Sequence, residues 1–291
     1  MITDFKRATS VEEAVSLHEQ GYVYLAGGTQ VNNAAAVGRG EAPERVVSLD
    51  DLDLRGIDVQ SNGFVVGAGV TLQELCDHTG VPEALSRAAG FIPTRSVRNI
   101  ATIGGNVGAG RPDSYLIPAL IALEAQAETS DGTVSVEDYV GGGRKALILR
   151  FHIPAVEGVC RAVKESRSHL ALPVVSAAVK IVPGEPGGGS GGGNAGGTGG
   201  RGAAGGAIGG PGAIRRAVVA AGCVAARPIR LPKVEAGIVS GELKAREALE
   251  KAVAESVSPQ ADILGSVEFK RYLNSVVITD CVLACMEEVS S

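Results

Sequence analysis

The sequence lacks Trp altogether, and Phe and Tyr raise its aromatic content to only 3% of 291 residues. Proteins that bind single-stranded nucleic acid stack its bases on aromatic side chains, which are scarce here. Basic residues are not in excess either, because 27 Lys and Arg are outnumbered by 32 Asp and Glu, for a net charge of −5. Binding a phosphate polymer needs a positive surface, so both scarcities argue against a nucleic acid partner.

Long apolar runs are also missing. The sequence contains no stretch of about 18 apolar residues, so we expect no bilayer span and no membrane partner. The first residues, 1–5 (MITDF), do not show the basic-then-apolar order of a signal peptide. The five cysteines form an odd and scattered set, which suits a reducing compartment better than a disulfide framework. We therefore expect a cytoplasmic protein.

Cys281 and Cys285 are four residues apart on a predicted helix, so they share one face of it. Two thiolates at this spacing are an incomplete ligand set for a metal ion. Free cysteine is also a common small core residue. Core packing is therefore the favoured interpretation of this pair, and we predict no metal site.

The pattern of predicted elements divides the chain into three parts. Residues 1–53 alternate strand, helix and strand, which predicts a small α/β lobe. Residues 54–155 predict a second lobe, of α+β type, with a hairpin turn at the Asp-Gly pair 131–132. Residues 156–291 predict a separate α+β domain. Predicted helices begin at the capping-box patterns 10–13 and 71–74 and cover residues 81–89, 116–123, 231–240, 243–257 and 267–287.

Glycine is abundant, with 41 residues, and one segment concentrates it. Residues 184–212 are more than half glycine and lie between the predicted strands 174–182 and 213–221. Such a composition offers too little apolar surface to offset the entropy lost on ordering. We therefore predict a flexible hairpin loop at this position. A phosphate-binding loop of the Gly-Lys-Ser/Thr kind is excluded by the missing lysine ending.

Two shorter glycine clusters carry the functional interpretation. Residues 25–29 (LAGGT) follow a predicted strand, and residues 102–106 (TIGGN) contain too much glycine for regular structure to be expected. Without Cβ atoms, consecutive N–H groups can converge on one anion, such as the pyrophosphate of a dinucleotide. Each cluster alone is better explained by a tight turn. Neither is the G-x-G-x-x-G fingerprint of a Rossmann fold.

Taken together, the two clusters resemble one family. Residues 98–106 (RNIATIGGN) resemble the second FAD loop of the flavoprotein subunits of molybdenum hydroxylases, and residues 25–29 resemble the first. The resemblance continues through residues 164–168, 174–178 and 266–272, near both ends of the last domain. The sequence is thus similar to the FAD-binding medium subunits of the xanthine dehydrogenase family, including the flavoprotein of carbon monoxide dehydrogenase.

This resemblance implies a fold, a cofactor and a set of binding residues. The fold is α+β: a two-lobed FAD-binding domain of vanillyl-alcohol-oxidase (PCMH) type, residues 1–155, followed by a C-terminal flavoprotein domain, residues 156–291. The flavin would lie between the lobes. The implied FAD-binding residues are Leu25, Ala26, Gly27, Gly28, Thr29, Gln30, Val31, Thr102, Gly104, Gly105, Asn106 and Leu172. No catalytic side chain is implied, because the chemistry belongs to the flavin.

The resemblance also implies partners. Related oxidoreductases pass electrons from a molybdopterin subunit through [2Fe–2S] clusters to FAD, and then to NAD or another acceptor. This sequence has no C-x₄-C-x₂-C pattern, so the clusters would belong to another chain. We therefore expect a hetero-oligomer with a molybdenum-binding large subunit and an iron–sulfur small subunit.

The sequence departs from the family at two positions. The family's FAD-binding Asp falls on Tyr115, with Asp113 two residues upstream as a substitute, and an acidic position before residues 174–176 falls on Ala171. These departures keep a second hypothesis open, a flavin-free scaffold subunit of the same kind of complex. A free-standing FAD oxidase is a weaker third hypothesis, because no polar catalytic cluster is visible.

Three further side chains have competing interpretations. His169 could contact the flavin or be an ordinary surface or core histidine. Arg95 and Arg98 could contact phosphate or have solvated or structural roles.

Overall fold

The computed structural model describes residues 2–31, 43–143, 146–184 and 213–291. Nearly all of the glycine-rich segment predicted to be a flexible loop lies outside the described residues. So do residues 32–42, which follow the first glycine cluster. Among the described helices, none combines the length and the apolar character needed to cross a membrane.

The first part of the chain forms a small parallel sheet. Its strands are β1 (Asp4–Arg7), β2 (Val23–Leu25) and β3 (Arg45–Ser48), in the order β1-β3-β2, with helix α1 (Val11–Glu19) connecting β1 and β2. Ser10 caps α1 by accepting a hydrogen bond from the Glu13 amide at 3.2 Å. The predicted capping box is only half present, because the Glu13 carboxylate accepts its hydrogen bonds from Thr9 instead of Ser10.

The second part forms a five-stranded antiparallel sheet. Its strands are β4 (Ile57–Gln60), β5 (Gly63–Gly67), β6 (Gln126–Thr129), β7 (Gly132–Ser135) and β8 (Ile148–Pro154), in the order β4-β5-β8-β6-β7. The hairpin predicted at 131–132 is confirmed by the β6–β7 pairing. The helices of this part are α2 (Leu72–Asp77), α3 (Glu83–Gly90), α4 (Arg95–Arg98), α5 (Ile103–Ala109), α6 (Leu116–Ala122) and α7 (Val136–Gly141). The Thr71–Glu74 capping box before α2 has both of its hydrogen bonds, as predicted.

The second glycine cluster is helical, so the expectation of an irregular loop at residues 102–106 is wrong. Helix α5 begins directly after Thr102, whose hydroxyl accepts a hydrogen bond from the Gly105 amide at 3.0 Å. Glycine is a poor helix former, but this helix is anchored by its surroundings. Ile103 and Val107 are fully buried in the core next to the five-stranded sheet. Tertiary packing has overridden local propensity here.

The third part forms a four-stranded antiparallel sheet covered by helices. Its strands are β9 (Val159–Glu165), β10 (Val175–Pro183), β11 (Ile214–Gly222) and β12 (Ile229–Arg230), in the order β12-β11-β10-β9. Its helices are α8 (Pro232–Ser240), α9 (Arg246–Ser256) and α10 (Val267–Ser290). Cys281 and Cys285 both belong to α10, and both are buried in the core that this helix covers. Within the described ranges, no group of His, Cys, Asp or Glu is arranged to hold a metal ion.

Helix α6 joins the second and third sheets, because every one of its residues is buried and it packs on β10 and β11. Glu124, two residues after the helix, has a left-handed backbone with φ of 59°. Its carboxylate pairs with Lys180 on β10 at 3.0 Å and with Arg216 on β11. Burial lowers the pKa of Lys180. These ion pairs connect the second part of the chain with the four-stranded sheet of the third part.

Candidate functional site

The first glycine cluster leaves strand β2 and makes a close approach to the segment before α5. We call residues 25–31 loop 1. A Cβ atom built on Gly27 would lie 1.6 Å from the carbonyl oxygen of Ile100, so no larger residue fits against that backbone. Gly28 has φ of +70°, a left-handed conformation that favours glycine. Both glycines of the cluster are therefore required by backbone geometry.

Loop 1 offers hydrogen-bond donors that the described part of the protein does not use. In the part of the chain that the structure describes, no acceptor receives a hydrogen bond from the amides of Gly27, Gly28, Thr29 or Gln30, or from the Thr29 hydroxyl. All four residues are partly exposed. A run of unpaired amides beside two glycines is the arrangement that binds a phosphate group.

The amides of the second cluster are, in contrast, already bonded within the protein. The Ile103 and Gly104 amides donate to the carbonyl oxygens of Val70 and Ala68, each at 2.9 Å. Thr102 accepts the next two, from Gly105 through its hydroxyl and from Asn106 through its carbonyl. The N-terminus of α5 therefore contributes a fixed surface to the site, with its first-turn donors already engaged.

The glycines of α5 have a steric function. A Cβ on Gly104 would lie 2.6 Å from the Cβ of Ala68, so this glycine lets the helix approach the strand segment behind it. Gly105 is exposed, and a Cβ there would lie 3.8 Å from the Cβ of Ala26 in loop 1. The exposed start of α5 thus faces loop 1 across a short gap. The structure brings the two predicted clusters together.

Asn106 is held by the segment that follows α5. Its side-chain oxygen accepts a hydrogen bond from the Ser114 hydroxyl at 2.6 Å, and the same hydroxyl accepts from the Ile117 amide at 3.2 Å. The Ser114 carbonyl accepts from the Ser176 hydroxyl on β10 at 2.8 Å. Asn106 is therefore fixed through Ser114 to both α6 and the last sheet.

Tyr115, the position at which the resemblance predicts the family's FAD-binding Asp, lies against other side chains. Its ring packs edge-on against Phe91 with centroids 5.6 Å apart, and the Lys164 ammonium lies 5.6 Å from each ring. Burial, with smaller effects from Cys223 and Asp113, raises the pKa of Tyr115 to about 12, so the phenol stays neutral. Burial also lowers the pKa of Lys164. Tyr115 therefore presents a neutral aromatic group at this position.

The remaining candidates are more peripheral. Leu172 is exposed in the connection between β9 and β10. The carbonyl of its neighbour Pro173 accepts a hydrogen bond from the Cys223 thiol, and the Cys223 amide donates to the Pro112 carbonyl. Leu172 therefore lies on the same side of the molecule as residues 111–114. Ala171 and His169 are in the same connection, where His169 is exposed.

Arg98 is engaged inside the protein, which supports its structural interpretation. It donates to the Gln73 side chain at 2.8 Å and to the Ile92 carbonyl at 2.5 Å. Arg95, in contrast, is exposed on α4.

Sequence reasoning missed two contributors to the candidate site, Ile100 and Arg111. The Ile100 carbonyl forms the wall against Gly27, and Arg111 hydrogen-bonds to Gln30 in loop 1 at 3.2 Å. Ile100 belongs to the 98–106 string, but nothing in that string shows that its carbonyl would pack on Gly27. Arg111 has no motif of its own, because a long-range side-chain contact leaves no local pattern.

Comparison with known proteins agrees with this arrangement. Residues 2–156, which contain both glycine clusters, match the family described as the FAD binding domain in molybdopterin dehydrogenase. The chain belongs to this family. A relative in Escherichia coli strain K12, the uncharacterized protein YgfM, is 33% identical over 291 residues, covering 99% of this chain and 98% of its own length.

Solved structures share the fold over the whole chain. A carbon monoxide dehydrogenase from Hydrogenophaga pseudoflava contains a chain that superposes with a TM-score of 0.80 at 22% identity, covering 99% of both chains. A chain of quinoline 2-oxidoreductase from Pseudomonas putida 86 superposes with a TM-score of 0.78 at 18% identity, covering 100% of this chain and 99% of its own. The α+β fold predicted from the sequence, and the resemblance to this family, are confirmed.

Proposed function

We propose that this chain is the FAD subunit of a xanthine dehydrogenase-like molybdenum hydroxylase. The observation that carries the proposal is the set of unused amides in loop 1, held opposite the exposed start of α5. Unpaired amide donors beside a glycine with positive φ suit the pyrophosphate of FAD. Family membership over residues 2–156 points to the same cofactor.

When bound, FAD would accept electrons singly and release them as a pair. Gly27, Gly28, Thr29 and Gln30 would donate amide hydrogen bonds to the pyrophosphate, joined by the Thr29 hydroxyl. Because the amides of α5 are already bonded, the second cluster would contribute a glycine surface that admits the cofactor closely. The full proposed binding set is Leu25, Ala26, Gly27, Gly28, Thr29, Gln30, Val31, Thr102, Gly104, Gly105, Asn106 and Leu172.

The partners would be a molybdenum-binding large subunit and a [2Fe–2S] small subunit in the cytoplasm. Electrons would reach FAD from the clusters and leave to NAD or another acceptor. Two features support a complex of this kind: the family description names molybdopterin dehydrogenases, and the fold matches chains of two such oxidoreductases.

We propose domain boundaries that follow the three sheets. The FAD-binding domain would cover residues 1–155, with lobes at about 1–53 and 54–155, and the C-terminal domain residues 156–291. The strands of each sheet fall within one of these ranges, which supports the division.

The test is a visible absorption spectrum of the purified full-length chain, before and after heat release of any cofactor. The expected result is the two-banded spectrum of oxidised flavin, with FAD in the supernatant, or uptake of added FAD by a colourless preparation. A chain that is colourless and takes up no FAD would overturn the proposal. That outcome would favour a flavin-free scaffold subunit, the alternative suggested by the neutral, aromatic Tyr115 at the usual Asp position.

A further inference from the structure

Residues 111–114 lie where several parts of the molecule meet, and we call them the junction segment. They follow Gly110, which ends α5 in a left-handed conformation with φ of 55°. The Pro112 carbonyl accepts a hydrogen bond from the Cys223 amide at 2.7 Å, which attaches the segment to the end of β11. Ser114 attaches it to α5, α6 and β10. The segment is therefore anchored from more than one side.

Arg111 extends from this anchored segment to loop 1. Its guanidinium forms a two-point contact with Asp113, from Nε to Oδ1 at 2.8 Å and from Nη2 to Oδ2 at 2.5 Å. Its remaining terminal nitrogen, Nη1, donates to the side-chain oxygen of Gln30 at 3.2 Å. The side chains of Arg111 and Asp113 are only 23% and 15% exposed, so water competes weakly for these bonds.

The side chain of Gln30 holds loop 1 through its hydrogen bond with Arg111. Within the described residues, its contact with Arg111 is the one hydrogen bond made by the side chains of residues 27–31. The amides of residues 27–30 are not tied to protein acceptors in those ranges either. Leu25, the first residue of the loop, accepts a hydrogen bond from the Leu49 amide at 3.0 Å. Past this bond and the close contact with Ile100, the hydrogen bond between Gln30 and Arg111 is the one that holds the loop among the described residues.

We propose that Arg111 is a positioning residue of the flavin site, acting through Gln30 to hold loop 1 in the conformation that presents its amides to a pyrophosphate. This inference rests on the proposed FAD function and assigns a part of it to a residue outside both glycine clusters. Asp113, the candidate substitute for the family's FAD-binding Asp, orients Arg111 through the two-point contact.

The geometry distinguishes this function from a simple charge effect. Asp113 neutralises the guanidinium, so the contribution of Arg111 comes from its planar, multi-donor shape. Lysine keeps the charge but cannot hold Asp113 at two points and reach Gln30 at the same time. Arg111→Lys is therefore expected to behave like Arg111→Ala.

The experiment measures dissociation constants of the full-length apo chain for FAD, ADP and riboflavin, by fluorescence quenching for the flavins and calorimetry for ADP. Arg111→Ala, Arg111→Lys and Gln30→Ala should each weaken FAD and ADP binding about tenfold, the usual effect of losing a hydrogen bond to a charged group. Riboflavin lacks the pyrophosphate, so its affinity should stay unchanged. The double variant R111A/Q30A should lose no more than Arg111→Ala, because both residues act through one contact.

Arg161→Ala is the matched control, since it removes another arginine–carboxylate contact, with Glu288, from between β9 and α10. It should bind all three ligands like the unsubstituted chain. Additive losses in the double variant, or equal losses for riboflavin and FAD, would overturn the positioning function, as would full affinity in Gln30→Ala. That last variant also decides the matter if Arg111→Ala does not fold. Failure of the unsubstituted chain to bind FAD would instead refute the proposed function itself.

Discussion

At the scale of single residues, the glycines of the two clusters serve different physical purposes. Gly27 leaves room for the Ile100 carbonyl, and Gly28 supplies a left-handed backbone. Gly104 allows α5 to approach Ala68, while Gly105 keeps the start of the helix bare opposite loop 1. The sequence could indicate that these positions favour glycine. It could not distinguish a donor-lined loop from a bare helix start, because that depends on which amides the fold has already bonded.

Gly105 and Gly108 provide a matched pair for testing the steric function of α5. Both lie in the same helix, but a Cβ on Gly108 would meet nothing within 4 Å, whereas one on Gly105 would lie 2.9 Å from the Thr102 hydroxyl oxygen and 3.8 Å from the Ala26 Cβ in loop 1. We expect Gly105→Val to abolish FAD retention while the chain stays folded, and Gly108→Val to retain FAD. Flavin content per chain and far-ultraviolet circular dichroism check this. Equal flavin content in the two variants would contradict the two-loop site.

Gly28 tests the backbone of loop 1. Valine is strained at φ of +70°, at a free-energy penalty of about 1–2 kcal/mol, whereas asparagine tolerates that region better. Gly28→Val should therefore lose FAD, and Gly28→Asn should retain a measurable part of it. The measurement is the FAD dissociation constant of each variant. If Gly28→Val binds FAD as tightly as the original chain, the left-handed conformation is not needed for binding.

At the scale of elements, sequence patterns succeeded where the structural cause is local. The Thr71 capping box, the Asp-Gly hairpin and the long C-terminal helix all have their determinants within a few residues. The sequence failed at α5, whose stability comes from bonds to Ala68 and Val70 on a distant segment. Strand β1 was also missed, since the strands predicted in the first lobe lay at residues 22–26 and 45–49. Its four residues pair with the later strand β3, so the cause is again not local.

The β10–β11 pair makes a prediction about the glycine-rich segment between these strands. The Gly184 amide donates to the Ala213 carbonyl at 2.6 Å, so the two ends of the segment are already adjacent. Replacing residues 185–212 by a two-residue turn should leave FAD binding intact. Unfolding stability should be unchanged or higher by up to about 2 kcal/mol, since each halving of loop length lowers the free-energy cost of loop closure by about 0.6 kcal/mol and the change amounts to nearly four halvings. Chemical denaturation checks this, and aggregation of the shortened chain would show that the segment has a structural partner.

At the scale of the whole molecule, the boundary between the second and third sheets rests on apolar packing and on ion pairs, among them Glu124 with Lys180 and Arg216, and Glu137 with Arg230. Glu124 sits at that boundary with Lys180, whose side chain is only 5% exposed. The boundary also supports the site, because Ser114 and Tyr115 lie just before α6, which packs against β10 and β11. Its long-range pairs could not be read from the sequence, since each joins residues far apart along the chain.

Glu124→Gln tests how much this boundary contributes to stability. It leaves Lys180 without its carboxylate in a buried setting, so we expect the free energy of unfolding to fall by about 2 kcal/mol. The matched control is Glu288→Gln, which breaks the ion pair between Arg161 and Glu288. The side chains of this pair are 46% and 48% exposed. The effect of this control should be at most about 0.5 kcal/mol. Urea denaturation compares the two variants, and similar losses would show that burial of the Glu124 pair adds nothing.

The contrast between bonded and unbonded amides has a consequence for the order in which the site is assembled. Residues 103–106 complete their hydrogen bonds when the chain folds, so they should exchange amide hydrogens slowly even without cofactor. The amides of residues 27–30 should exchange fast until FAD is added and slow down afterwards. Mass spectrometry of deuterium uptake would show this asymmetry, and equal protection of both segments in the apo chain would refute it. One wall of the site is thus built by folding and the other by the cofactor, so flavin loading can follow synthesis of the chain.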